Sequence, residues 1–328
     1  MKAGRLSVKA RRGLTRLVEI PAGVFRMGSG DHYPEEAPVR EVRVAAFGIE
    51  RTPVTNGQFR DFVRDTGYRT LAERPLDPEQ FPDLAEADRG PGSMVFVPTS
   101  GPVDLRHLSQ WWRWVPGACW KHPEGPGSTM KGREDHPVVH VAYEDAAAYA
   151  TWCGRALPTE AQWEYAARGG LDGLAYTWGE EARPDGRRMA KTYEGAFPWL
   201  ATPSDGHTRT APVASYPENG YGLSDMAGNV WEWTRDWFTD GPSAEASCCA
   251  PDTLSDAARD RSYDPAQSRF RIPRRVVKGG SFLCADEYCH RYRPAARRPQ
   301  MIDTGMSHIG FRCVSADGSD PAPTPRRP

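Results

Sequence analysis

Apolar and polar positions alternate most clearly near the N-terminus. Leu17-Val18-Glu19-Ile20-Pro21-Ala22-Gly23-Val24-Phe25-Arg26-Met27-Gly28 reads as two short strands around a Pro-Ala-Gly turn. Val39-Arg40-Glu41-Val42-Arg43-Val44 alternates apolar and charged residues, which predicts a half-exposed strand. Thr55-Asn56-Gly57-Gln58 fits a capping box, with Thr55 at the N-cap and Gln58 reaching back to it. Phe59, Phe62 and Val63 then supply one apolar helix face, and Gly67 is the stop. Glu144 to Cys153 reads as a helix closed by Gly154. A second box, Thr159-Glu160-Ala161-Gln162, opens a helix whose Trp163, Ala166 and Ala167 face the core, ending at Gly169-Gly170. Between these helices and the first, His136-Pro137-Val138-Val139-His140-Val141 reads as a buried strand.

The pattern fails from about residue 72 to 135. This stretch is rich in proline and carries Trp111, Trp112, Trp114 and Trp120. A loop this long inside a compact domain is unusual and often functional. The tryptophans read either as a peptide-binding wall or as loop packing onto the core. Residues 239 to 270, with adjacent Cys248-Cys249, read as a surface insertion. Adjacent cysteines rarely bridge each other, because the geometry is strained. No repeat or composition break divides the chain. It is read as one domain over 16–315, with a basic extension at 1–15 and a Pro- and Asp-rich disordered tail at 316–328.

Charge adds an exclusion. The net charge is -1, with no concentrated basic excess, which argues against general nucleic-acid binding. No apolar run approaches the roughly 20 residues that span a bilayer. Met1 to Leu14 is basic but has no apolar core after it, so no secretory signal is read. A cytoplasmic protein with mostly reduced thiols is expected.

Candidate chemistry concentrates near the C-terminus. Cys284 and Cys289 stand five positions apart, and His290, Arg291, Arg293, Arg297 and Arg298 cluster around the second. Positive charge favours thiolate, the form that attacks or binds metal. Two converging thiolates select soft ions such as Cu(I) or zinc; a disulfide or two packed thiols is the other reading. Asp225 and Glu232 flank a Gly-bearing turn that can wrap a hard cation such as Ca²⁺, or simply solvate two acids. His136 and His140 lie about 13 Å apart along an extended strand, too far for one ion, so structural roles are expected.

In order along the chain, several stretches resemble the formylglycine-generating enzyme, or sulfatase-modifying factor, family. They include Phe25-Arg26-Met27-Gly28, Glu35-Glu36-Ala37-Pro38, Leu157-Pro158-Thr159-Glu160-Ala161-Gln162-Trp163-Glu164-Tyr165, Gly228-Asn229-Val230-Trp231-Glu232-Trp233, Gly279-Gly280-Ser281 and Gly310-Phe311-Arg312-Cys313. The discriminating piece is Cys284 and Cys289 followed by Arg291-Tyr292-Arg293 and Ala295-Ala296-Arg297. The resemblance implies an α+β single-domain fold, distantly similar to C-type lectins, with little regular secondary structure. It implies a monomer that oxidises a cysteine of a sulfatase polypeptide, within Cys-X-Pro-X-Arg, to Cα-formylglycine. The oxidant is O₂, with Cu(I) held by Cys284 and Cys289. Ser281 and Trp231 match pocket-lining positions, and Asp77 falls where an acid meets the substrate arginine.

The family's two structural calcium sites map to Asp225, Gly228, Val230 and Glu232, and to Lys191, Thr192, Asp205 and His207. An ammonium cannot ligate a cation, so the second set is expected to be lost or filled by the Lys191 charge. His308 stands where the family often has an active-site Asn. The disulfides of secreted relatives map to Ala150, Ala167 and Pro294 and cannot form, while a Cys153–Cys313 contact is open. Alternatives are a related copper oxidase acting on another peptide or thiol, and a non-catalytic, lectin-like binding module. The iron-dependent sulfoxide synthase branch is set aside, because no His-X-X-X-His-X-Glu pattern occurs.

Overall fold

A computed structural model of the protein describes residues 13–79, 81–239, 253–267 and 271–316. The expected basic extension up to residue 12, Cys248-Cys249 and the expected disordered tail from 317 lie outside these residues. The elements run β1 (Leu17–Ile20), β2 (Gly23–Met27), β3 (Arg40–Val44), β4 (Phe47–Glu50), α1 (Asn56–Thr66), β5 (Gly92–Phe96), β6 (Trp112–Pro116), α2 (Tyr143–Trp152), β7 (Arg155–Ala156) and α3 (Glu160–Arg168). Then follow β8 (Gly195–Ala196), β9 (Leu200–Ala201), β10 (Trp231–Trp237), α4 (Asp256–Arg261), β11 (Arg274–Lys278), β12 (Arg297–Met301), β13 (Ile309–Gly310) and β14 (Val314–Ser315). Short helices and strands joined by long ordered loops make this an α+β fold of modest regular structure, as expected.

Both capping boxes form. Thr55 N–H donates to Gln58 Oε1 at 2.9 Å and Gln58 N–H returns to Thr55 Oγ1 at 3.3 Å; Thr159 and Gln162 do the same. Gly67 and Gly169 end their helices in the left-handed conformation. Trp163, Ala166 and Ala167 are fully buried.

The two expected N-terminal strands form around their turn, β1 pairing with β4 and β2 with β3. One expectation is corrected. His136 to Val141 is not a ladder strand: Pro137 makes one isolated bridge to Thr55, and His140 has a φ of 60°. Proline lacks the N–H that a ladder needs. The turn at His140 instead lets its ring join Ser93 Oγ (2.8 Å) and the Pro123 carbonyl (2.8 Å). Burial pushes the His140 imidazole down to about 4. His136 is likewise lowered to about 4 by burial and its neighbour His207. Both are structural.

The long loop is less irregular than its sequence. β5 and β6 form an antiparallel hairpin within it. Trp111, Trp112 and Trp120 are buried in the main apolar cluster with Phe59, Trp231 and Phe282. Only Trp114 is exposed, so the tryptophans pack the loop onto the core.

Two four-stranded sheets frame the molecule, in the orders β1-β4-β14-β7 and β12-β11-β10-β13. The second sheet positions the chemistry. Gly279 and Gly280, both with positive φ, follow β11. A Cβ on Gly280 would stand 2.8 Å from the Arg291 carbonyl oxygen and 2.8 Å from the Tyr292 Cα. Glycine is therefore required where the 281–289 loop closes against the chain that follows it.

Candidate active site

The loop after β11 folds back on itself. Cys284 N–H donates to the Ser281 carbonyl at 3.0 Å, and Cys289 N–H donates to the Ala285 carbonyl at 2.7 Å. This single turn brings the two sulfurs to 3.2 Å. Both are buried, at 2% and 8% exposure, so only Cys289 retains an edge toward solvent. Ser281 braces the pair: its N–H points to Cys284 Sγ at 3.5 Å and its Oγ accepts from Leu283 N–H at 3.2 Å. Tyr193 N–H holds the Cys284 carbonyl at 2.8 Å. The two sulfurs share a hydrogen bond. That bond holds the Cys289 thiol down to about 6 against its burial, helped by Arg291 N–H and by the charges of Arg291 and Arg298. Burial pushes the Cys284 thiol well up, and its bond to Cys289 adds to this.

The basic flank is less free than its sequence suggests. Arg291 pairs with Glu35 at 2.7 Å, fully buried Arg293 pairs with Glu36 at 2.9 Å, and Arg297 pairs with Glu160 at 2.9 Å. Of the flanking arginines, Arg298 alone lacks an acidic partner among the described residues.

Trp231 begins β10, is buried, and its N–H donates to the His308 carbonyl at 2.9 Å. His308 is buried, and its ring meets Trp112 edge-on at 4.6 Å. Among the described residues, neither ring nitrogen has a partner. Burial, then the charge of Arg298, holds the imidazole well below its usual range, so it is neutral at pH 7. Asp77 is exposed in the long loop; its Oδ1 accepts from Glu79 N–H at 2.9 Å, and no described contact joins it to the sulfurs.

Two soft donors and nothing harder suit a soft ion of low coordination number. Among the described residues, no group of three or more His, Cys, Asp or Glu converges, so a four-ligand zinc is not served. The sulfur pair thus fits Cu(I).

The two mapped calcium sets differ. Lys191 is buried, and its Nζ donates to Asp205 Oδ1 (2.7 Å), Asp205 Oδ2 (2.8 Å) and the His207 carbonyl. Tyr216 and His207 N–H also bond Asp205. Against burial, these hydrogen bonds hold the Asp205 carboxyl below its usual range. Thr192 turns instead to Arg188, accepting at 2.9 Å through Oγ1. In the other set, Glu232 is fully buried and both its oxygens are engaged: Oε1 by Arg312 at 2.8 Å, Oε2 by Arg312 and by Trp163 Nε1 at 2.7 Å each. Asp225 keeps its carboxylate near Ala214 N–H (2.7 Å) and Asn229 (3.4 Å), and burial pushes it up. Gly228, with φ 72°, lies so close to Lys191 that a Cβ would clash with its carbonyl. Arg312 already neutralises Glu232, so only Asp225 brings uncompensated negative charge. The set is a weaker fit to Ca²⁺ than its sequence implies.

Glu36 and Arg312 were missed as parts of these networks, and Arg298, named in the basic cluster, was not distinguished from its paired neighbours. Strand alternation could have indicated Arg298, because Arg297 and Arg298 must face opposite ways. Nothing local indicates that Glu36 and Glu232 meet arginines far along the chain.

The model for the sulfatase-modifying factor enzyme 1-like domain matches residues 2–317. The formylglycine-generating enzyme of Mycobacterium tuberculosis is 56% identical, covering 92% of this chain and 98% of that protein. The formylglycine-generating enzyme of Thermomonospora curvata is 47% identical, covering 91% and 93%. Among solved structures, PvdO from Pseudomonas aeruginosa shares the fold, with a TM-score of 0.60 at 23% identity over 92% of this chain and 94% of that one.

Proposed function

The chain belongs to the sulfatase-modifying factor enzyme 1-like family, and on that premise we propose that it is an enzyme converting a cysteine of a sulfatase polypeptide to Cα-formylglycine. The motif Cys-X-Pro-X-Arg, O₂ as oxidant and Cu(I) as cofactor complete the reading. The observation that carries it is the buried pair of sulfurs 3.2 Å apart, with one thiol poised to ionise near pH 6. Relatives named for this activity at 47–56% identity support it.

Cys284 and Cys289 would hold the copper, which supplies the one-electron chemistry that O₂ needs. Cys289 offers a ready thiolate, while Cys284 keeps its proton until a soft ion displaces it. Ser281 fixes the Cys284 rotamer through its backbone, and buried Trp231 is proposed to line the pocket. Asp77, exposed and with a free oxygen, is proposed to meet the substrate arginine. The balance is a substrate CH₂–SH, one O₂, two electrons and two protons giving an aldehyde, H₂S and water. The C–S bond breaks and the same carbon is oxidised. An external reductant supplies the two electrons, a thiol in the test below. We further propose that Lys191 stands in for a cation between Asp205 and His207, and that Ca²⁺, if bound at Asp225, is held mainly by that residue.

The test is protein loaded with Cu(I), mixed in air with a Cys-X-Pro-X-Arg peptide and a thiol reductant, read by mass spectrometry. Aldehyde that vanishes in Cys284→Ser and Cys289→Ser supports the reading. Tight Cu(I) binding without aldehyde would move the substrate to another thiol, and no copper binding would sink the oxidase reading.

A further inference from the structure

Arg298 sits on β12 opposite Val277 of β11. Its neighbour Arg297, opposite Lys278, turns to Glu160 on one face of the sheet. Side chains alternate along a strand, so Arg298 projects from the other face, the one Val277 shares with Phe282 and Trp112 in the main core. Its charge acts on Cys284, Cys289, Tyr288 and His308 together. Arg298 is half-buried and makes no ion pair or hydrogen bond among the described residues.

A half-buried guanidinium without a counter-charge has lost hydration and gained little for it. Beside it, the His308 imidazole is fully buried with both nitrogens unpartnered. A neutral imidazole has one N–H to donate and one lone pair to offer, and buried polar groups of this kind are nearly always satisfied. The two defects lie in the field of one another, beside the sulfur pair. A carbonyl oxygen would leave the Arg298 charge uncompensated. A carboxylate accepts from both groups and cancels the charge, and the planar guanidinium fork matches its shape.

We propose that Arg298 and His308 form a carboxylate-binding subsite next to the sulfur pair, which takes an acidic side chain of the polypeptide close to its reacting cysteine. Only the naming of a polypeptide rests on the function proposed above; the subsite itself rests on the strand register that turns Arg298 to this face, on the orphaned His308 nitrogens, and on the reach of the Arg298 charge to His308 and both sulfurs. Arg298 and His308 act here by positioning, not on the reacting atoms.

The experiment compares two alkylating reagents of similar size on the metal-free protein. Iodoacetate carries a carboxylate and iodoacetamide does not. In both reactions the thiolate forms a bond to the reagent's methylene carbon as iodide leaves. The ratio of the two rates therefore cancels the thiolate fraction, and peptide mapping assigns it to Cys289. The expected ratio is about tenfold or more above that of glutathione. It falls to the glutathione value in Arg298→Met, is reduced in His308→Phe, and is largely kept in Arg298→Lys. Millimolar acetate slows carboxymethylation of the wild type but not carbamidomethylation. A merely structural Arg298 would change both rates together and leave the ratio alone. If Arg298→Met does not fold, the wild-type ratio against glutathione still decides. A ratio equal to that of glutathione, or no reaction with either reagent, overturns the subsite. A preference that persists where no aldehyde is ever formed keeps the subsite and discards only the polypeptide. Aldehyde without a preference does the reverse.

Discussion

Among the described residues, the protein holds two buried thiol pairs with opposite electrostatic surroundings. Cys284 and Cys289 lie in a loop beyond β11, under the charges of Arg291 and Arg298. Cys153 and Cys313 lie at the end of α2 and beside β14, where Cys313 neighbours Cys153 and its N–H donates to Glu50 Oε2 at 2.7 Å. Both pairs consist of free cysteines. In the first, one thiol is lowered to about 6. In the second, burial first, then the Cys153 bond and Glu50, push Cys313 well up. Cys153 donates to the Ala150 carbonyl at 3.3 Å, as a packed thiol does. Sulfur proximity therefore does not make a reactive centre. The neighbouring charge and a remaining edge to solvent do, because the thiolate is the reactive form and low-dielectric burial disfavours it.

The sharpest way to break this contrast is to remove one sulfur from each pair. Cys289→Ser should lower aldehyde formation by about a thousandfold or more and abolish Cu(I) binding, because a hydroxyl is a poor ligand for a soft ion. Its melting temperature should stay near that of the wild type. Cys313→Ser should do the opposite. Burying a hydroxyl beside Glu50 should cost about 1–3 kcal/mol in denaturant titrations, while activity per folded molecule is retained. Equal activity losses in both variants would end the distinction.

A pH titration sharpens it. The iodoacetamide reactivity of Cys289 should rise with pH to a midpoint near 6, while native Cys313 stays unreactive. A Cys289 midpoint near that of a free thiol would show that the hydrogen bond from Cys284 is not maintained.

The carboxylate beside the inert pair makes its own prediction. Burial raises Glu50 to about 7, against the attraction of Arg155. The folded state then holds a proton that the unfolded chain releases. Its stabilising contribution is full below about 4.5 and is lost as pH rises toward about 7. Glu50→Gln should remove that slope, so the stability gap between variant and wild type should shift by up to about 3 kcal/mol in favour of the variant between pH 4.5 and 7. Parallel stability curves would show that Arg155 keeps Glu50 ionised throughout. The smallest effect is expected at Ser281→Ala, which deletes one hydrogen bond to Leu283 N–H. Turnover should fall only a few-fold, in line with about 1 kcal/mol of lost positioning, with Cu(I) affinity nearly unchanged.

Features carried by neighbours in the chain were legible beforehand. The boxes at Thr55 and Thr159, the stops at Gly67 and Gly169, the half-exposed β3 and the five-residue spacing of the two cysteines are of this kind. Features that depend on distant partners were not. The Pro-rich stretch hid the β5–β6 hairpin because Gly92-Ser93-Met94-Val95-Phe96 carries no period-2 alternation and Trp112-Arg113-Trp114 alternates over three residues only, so cross-strand packing sets that register. Val138 and Val139 looked like a strand, yet Pro137 interrupts the ladder and His140 turns out of it. The basic run after Cys289 looked like a free cationic field, while three of its arginines are neutralised by Glu35, Glu36 and Glu160.

By itself, the sequence determined the helix ends, the sulfur donors and the family motifs, since each depends on residues within a few positions of one another. Only the tertiary structure decided which charges survive at the sulfurs and which are cancelled. Lys191 became a bound cation, Glu232 became the partner of Arg312, and Arg298 was left unpaired. Electrostatic environment depends on distance and burial in space, and the partners involved are separated along the chain by up to 257 residues.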